Sequence, residues 1–175
     1  MKVPSILYAV LAFTILFSAT QCTYRFTEAG GLDPALKTVR VRFIENRAPY
    51  INPQLSPNLT DRIRQKIVNQ TKLTQTNNDN AHLDISGYIS DYSVSTSGIS
   101  QQNNQRQSSV NRLTVSVVIT VTNQLNPEEA PKEVTATRQF DFGANQSLQA
   151  AEAQLLDEMV RNLTDEIFNR IFSNW

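Results

Sequence analysis

The chain has 175 residues, and sixteen lysines and arginines balance sixteen aspartates and glutamates. That neutrality leaves no strong field to draw in nucleic acid. One cysteine excludes an intramolecular disulfide, and Cys22 with the single His82 makes no zinc constellation of the usual type, so no metal or cofactor is expected.

Lys2 supplies a positive start, Ile6 to Phe17 is apolar at every position but Thr14, and Ser18, Ala19 and Thr20 lead to Cys22. This reads as an export signal over residues 1–21. A signal that stops on a lone cysteine is the arrangement of a bacterial lipoprotein, whose thiol carries diacylglycerol and becomes the new N-terminus on cleavage. Cys22 is therefore the expected lipid attachment site. The alternatives are a retained transmembrane helix, for which the apolar run falls short of about 20 residues, and a plain secretory signal cut after Ala19. Lipoprotein signals favour a small residue just before the cysteine and Leu two places earlier, where this chain has Gln21 and Ala19.

Residues 22–36 form a tether or leader punctuated by Gly30-Gly31 and Asp33-Pro34. From 37 to 175 the chain is long enough for one domain with a real core. Lys37 to Ile44 alternates, with Val39, Val41 and Phe43 on one face and Arg40 and Arg42 on the other, which is a half-buried strand. A proline-rich loop follows, and Ser56-Pro57 is expected to cap and open a helix ending near Thr71. Its apolar stripe is Leu55, Leu59, Ile63 and Ile67 with Val68 beside it, while Asp61, Arg62, Arg64 and Lys66 should stay wet.

Leu83 to Tyr92 is the second strand, with Leu83, Ile85, Gly87 and Ile89 opposite Asp84, Ser86, Tyr88 and Ser90. Ser93 to Asn111 carries little apolar content and one charge, Arg106, and reads as a long loop or an extended hairpin tip. Arg112 to Thr122 is the strongest strand, and Glu133 to Phe142 is the fourth. In the latter Arg138 intrudes on the apolar parity, which requires either a bulge or an acid to meet it. Ser147 caps a long helix with a wide apolar face. The layout is α+β: a two-layer α/β sandwich with two helices on one face of a four-stranded mixed sheet, the other face left for solvent or a partner.

No catalytic pattern stands out. There is no GxSxG, P-loop or Gly-rich dinucleotide turn, His82 sits in a polar turn, and nothing in the spacing of Asp61, Asp84 and Asp141 singles out a carboxylate pair. Two features suit binding. Arg40 and Arg42 share a face and have the chemistry to meet an anionic head group or a partner's carboxylates, although solvated arginines guarding an edge strand read the same. Arg106 in the Ser93–Asn111 segment and Arg112 at its base belong to a polar stretch suited to the interior of an outer-membrane barrel, or to an ordinary mobile loop.

Several segments together resemble the LptE family in its Bacteroidetes-type form: Cys22-Thr23-Tyr24-Arg25-Phe26, Val39 to Phe43 with Asn46-Arg47-Ala48-Pro49, Asn52-Pro53 with Leu55-Ser56, Asn111-Arg112-Leu113-Thr114-Val115, and Phe140-Asp141-Phe142. The resemblance spans essentially the whole mature chain and rests on the order of the segments. It implies a non-enzymatic lipoprotein, anchored to the outer membrane through acylated Cys22 on the periplasmic side or in a barrel lumen. Such a protein plugs the LptD-type lipopolysaccharide-insertion β-barrel and helps lipopolysaccharide reach the outer leaflet. It further implies contact with lipopolysaccharide through basic residues at loop ends, for which Arg106 and Arg112 are positional candidates. The competing reading is an accessory lipoprotein of another envelope secretion or phospholipid-transport complex.

Overall fold

The structure is a computed structural model that describes residues 32–102 and 105–173, with the backbone alone described over 98–109. The signal 1–21, Cys22 and the leader as far as Gly31 lie outside these residues. The elements in order are β1 (Thr38–Val41), β2 (Glu45–Asn46), α1 (Leu55–Gln70), β3 (Thr74–Gln75), β4 (Leu83–Gln102), β5 (Gln105–Asn123), β6 (Lys132–Gly143) and α2 (Leu148–Phe172). The sheet order is β3-β1-β4-β5-β6, with β2 on β4 beyond β1. β1 runs parallel to β3 and β4, and β4, β5 and β6 are antiparallel. Both helices pack on one face, so the α+β sandwich is as expected.

The sheet has six strands rather than four because β2 and β3 are two-residue pieces, too short to carry a period. Residues 93–102 and 105–111 belong to paired strands, β4 with β5, so the segment is the extended hairpin of the two expected options. Backbone pairing needs no apolar alternation, so hydropathy does not reveal a polar ribbon.

The first strand ends early. Val41 turns its carbonyl to Arg64 of α1, which donates from Nη2 at 2.9 Å and Nε at 3.2 Å, and Ile44 N–H donates to Thr60 Oγ1 at 3.1 Å. Helix side chains thus replace the missing ladder bonds. The break inverts the expected phase: Phe43, expected inside, is 53% exposed, and Ile44 is buried in its place. Arg64 is accordingly not a wet residue, and neither is Lys66, which reaches Asp165 at 2.6 Å and lies over the Phe168 ring. Val68, expected beside the apolar stripe, faces water.

α1 begins at Leu55, one residue before the expected cap. Ser56 does not cap: it is buried, its carbonyl accepts from Thr60 Oγ1 at 2.7 Å, and Asn52 Oδ1 accepts from Gln54 N–H at 3.0 Å in the approach to the helix. Ser147 does cap α2, accepting from Ala150 N–H. Tyr50 reaches Glu152 in the second turn of α2, and Lys66 reaches Asp165 about three and a half turns further along. The two helices therefore run in the same direction, with both N-termini at the end of the sheet from which the β4–β5 ribbon leaves.

The core lies between the layers. Val39, Val41, Leu83, Ile85, Ile89, Leu113, Val115, Val117, Ile119 and Phe140 meet Leu59, Ile63, Ile67, Met159, Leu163, Ile167 and Phe172. Leu36 is buried in it as well and Leu32 packs against it, so the chain is tied to the domain before β1 begins. Gly87 lies on the inner parity of β4, where a Cβ would stand 2.5 Å from both Ile119 Cδ1 and the Val118 carbonyl oxygen. The opposing strand fills the space a side chain would take.

Candidate functional site

Alternation along β1 and β4 points Arg40, Arg42 and Asp84 to the outer face, and the parallel register sets Arg40 directly beside Asp84. Arg40 Nε donates to Asp84 Oδ1 at 2.8 Å, and Arg42 donates from Nη2 and Nε to Oδ2 at 2.8 and 3.0 Å. Arg40 also pairs with Asp79. Burial pushes the Asp84 carboxyl up, but the hydrogen bonds from Arg40 and then Arg42 outweigh it and hold the group below the ordinary carboxylate value. The Arg40 side chain is only 12% exposed, while that of Arg42 is 55% exposed. The structure therefore gathers Arg40 and Arg42 around one internal carboxylate and leaves Arg42 facing water.

Arg112 stands opposite Asp141 across β5 and β6 and binds it through two parallel hydrogen bonds, 2.7 Å from Nε and 2.9 Å from Nη2. Those bonds hold the Asp141 carboxyl below its usual range and the Arg112 guanidinium above its own. Beside the pair is an open groove of about 310 Å³ whose walls include Phe140, Leu155 and Glu158. Arg106 pairs by its backbone with Gln101, and its side chain lies outside the described residues. The three aspartates do not converge: Asp84 and Asp141 hold the arginines above, and Asp61 pairs with Arg64 on α1. His82 Nδ1 accepts the Lys37 backbone N–H at 3.1 Å, a structural role at the start of β1.

Between the arginine clusters the outer face is rich in hydroxyls. Ser116 and Thr137 share a 2.9 Å hydrogen bond across β5 and β6, and the Arg47 guanidinium lies 4.6 Å over the Tyr88 ring. Among the described residues no group of acids, His and Cys is disposed to hold a metal, and no helix is long and apolar enough to cross a membrane.

Sequence reasoning missed a polar cluster inside the helical layer. A bulge at Ser90 and Asp91 resets the phase of β4 and turns Tyr92 inward. Its hydroxyl donates to Glu152 Oε1 at 2.7 Å, Tyr50 donates to Oε2 at 3.2 Å, and Asn52 Nδ2 donates to the Tyr92 hydroxyl at 3.4 Å. The two tyrosine rings stack at 5.4 Å. Burial, followed by the hydrogen bond to Glu152, pushes the Tyr92 hydroxyl well above its ordinary pKa; burial and the Glu152 charge raise Tyr50. The cluster straps the 47–54 loop to α2 near the N-termini of both helices, where a carboxylate is favoured. The only signal in the sequence was Glu152 standing beside Ala151 on the inner side of α2.

No curated protein matches the sequence. Among solved structures the chain is similar to rare lipoprotein B of Shewanella oneidensis, with 17% identity, TM-score 0.44, and coverage of 77% of this chain and 93% of that one. It is similar also to lipoprotein B of Nitrosomonas europaea, with 19% identity, TM-score 0.45, and coverage of 82% and 91%. The PelC dodecamer of Paraburkholderia phytofirmans follows at 12% identity, TM-score 0.45, and coverage of 81% and 91%. The family model for LptE, described as lipopolysaccharide-assembly, matches residues 36–171, which span both helices and all six strands. The chain belongs to the LptE lipopolysaccharide-assembly family.

Proposed function

We propose that this protein is a lipid-anchored outer-membrane subunit that seats in the lipopolysaccharide-insertion β-barrel of the LptD type and aids delivery of lipopolysaccharide to the outer leaflet. The observation that carries the reading is the family match over 36–171, joined to a signal that stops on the lone Cys22. In this reading residues 1–21 are removed, Cys22 is acylated, 22–36 is the tether and 37–175 is the working domain. One acyl chain gives only marginal binding and two anchoring signals suffice for stability, so a di- or triacylated Cys22 anchors the chain without help from the domain.

The geometry is compatible with this division of labour. The chain enters at the start of β1, and the ribbon leaves at the opposite end of the sheet. Past the last pair with β6, Val110 with Gly143, the ribbon continues for about five residues per strand, roughly 17 Å at ~3.4 Å per residue. Its polar sequence, with Arg106 as its one charge, suits an aqueous lumen. For contact with lipopolysaccharide, Arg42 and Arg112 offer the more exposed guanidinium groups, whereas Arg40 is committed to Asp84 and Asp79. Arg106 is kept as a candidate on position alone.

The test is a mild-detergent pull-down of the C-terminally tagged full chain from envelope membranes, with intact mass measured on the bait. A large β-barrel in about one-to-one amount and an acyl-shifted mass beginning at Cys22 are expected. An acylated bait without a barrel would move the assignment to another envelope complex, and an unacylated one would remove the anchor.

A further inference from the structure

β6 is the long open edge of this sheet. It spans Lys132–Gly143, pairs with β5 on one side, and has no strand on the other among the described residues. The opposite edge is β3, two residues long, and is too short to template a strand. The other unpaired stretches are β4 beyond Ile89, broken by register shifts at Ile89/Asp91, Thr96/Gly98 and Gly98/Ile99, and the short start of β5 before Val110, which shares the last two of those shifts. Shortness and bulges are ways in which sheets discourage edge-to-edge pairing. β6 has neither: it is unbroken in register from Lys132 to Gly143 and contains no proline.

What β6 does have is Arg138. It lies opposite Val115 on the parity of Val134, Ala136, Phe140 and Phe142, the helix-facing side, and no bulge turns it away. Its Nη2 meets Glu166 Oε2 at 2.5 Å, and Glu166 also holds Arg170 at 2.6 Å on α2. A part-exposed ion pair of this kind adds little to stability, so fold stability alone does not account for a charge at this position. An inward-pointing charge on an edge strand is itself a guard against pairing.

The register makes the guard specific. If two copies joined their β6 edges antiparallel with both helical layers on one side, facing residues would share parity. The two registers of greatest overlap then set Arg138 opposite Arg138 of the copy, or opposite its Ala136. In the first the guanidinium groups face each other directly. In the second they are diagonal neighbours about 7–8 Å apart at the backbone. Like charges so placed oppose pairing in both.

We propose that Arg138, held over the helical face by Glu166, keeps the β6 edge from joining that of a second copy, and that this edge is a latent self-association surface. The inference does not depend on the barrel reading.

The experiment uses the full chain purified in detergent, comparing the parent with Arg138→Val and Arg138→Lys. Each is made with and without Thr137→Cys, and protein mass is read by light scattering and ultracentrifugation. R138V should double in protein mass and cross-link through Cys at 137 with a short bis-maleimide, while the parent and R138K stay monomeric. If R138V is recovered only as aggregate, Arg138→Thr removes the charge while keeping a polar strand former and carries the same expectation. R138V or R138T at the parental mass would overturn the proposal. So would a dimer that does not cross-link at 137, or a parent chain that already does.

Discussion

Tyr92 on β4 and Glu152 on α2, 60 residues apart in sequence, are joined by a 2.7 Å hydrogen bond inside the helical layer. The bond ties the sheet at the root of the ribbon to the start of the last helix, and Tyr50 brings the 47–54 loop to the same carboxylate. Removing the Tyr92 hydroxyl leaves a nearly buried carboxylate one donor short. Tyr92→Phe is expected to destabilise the fold by about 2 kcal/mol, the scale of a hydrogen bond to a charged group. Urea unfolding should show a lower midpoint at unchanged slope, and an unchanged midpoint would mean that the bond is replaced by water.

The same cluster predicts an alkaline limit. Tyr50 and Tyr92 have folded-state pKa values raised above the tyrosine reference of 10.0. Their stabilisation is complete below about pH 10 and is lost as pH rises through the folded values. Ultraviolet titration of phenolate should show these two tyrosines ionising above the ordinary tyrosine range. Unfolding should become easier above pH 10 in the parent and less steeply so in a Tyr50→Phe, Tyr92→Phe double variant.

Asp84 predicts the acid side. Its folded pKa is depressed, so its contribution is present above the ordinary carboxylate pKa and fades as pH falls through the folded value. Asp84→Asn removes that acid-dependent component and sets Arg40, with little exposure, against a neutral partner. A loss of about 2 kcal/mol at pH 7 is expected, with a flatter stability profile below pH 4, read by thermal melts across pH. A variant as acid-sensitive as the parent would place the titration elsewhere.

Gly87→Val places a branched side chain where Ile119 and the Val118 carbonyl already stand 2.5 Å from the Cβ position. Overpacking against backbone has no flexible side chain to absorb it, so a cost of about 3 kcal/mol is expected. Differential scanning calorimetry checks it. A melting temperature within error of the parent would show that β4 and β5 separate more readily than their register implies.

Thr60→Val tests the helix-supported break after β1. The substitution keeps shape but removes the acceptor for Ile44 N–H in a buried setting. A loss of about 1 kcal/mol is expected, with faster hydrogen exchange at Ile44 while the amides of β5 stay protected. Uniform acceleration throughout would instead indicate global destabilisation.

Much of the fold was legible in the residues. Leu83 to Ile89, Leu113 to Val121 and the face of α2 announced themselves because each buries one face, and burial writes a period into the chain. Ser147 was readable as a cap because capping is a local bond. Phe43 was misassigned and the inward turn of Tyr92 was missed for one reason: a break or bulge shifts the phase by a residue, and the groups that allow it, Thr60 and Arg64 for the break, come from another element. The ribbon was legible only as one of two options, since a uniformly polar sequence carries no hydropathic alternation. Among the candidate residues Arg40, Arg42 and Arg112 were visible as charges at strand parity. Their partners Asp84 and Asp141 were visible only as unassigned acids.

The sequence by itself determined the class of the protein: an α+β order of elements and the segments that carry the family. Those are properties of neighbours in the chain. Only the tertiary structure decided which charges meet, because pairing depends on strand order and register. Parallel β1 and β4 bring Asp84 beside Arg40 and within reach of Arg42, antiparallel β5 and β6 bring Asp141 to Arg112, and α2 lying over β6 brings Glu166 to Arg138. Each contact spans 28 or more residues of chain, and no local propensity specifies a contact at that separation.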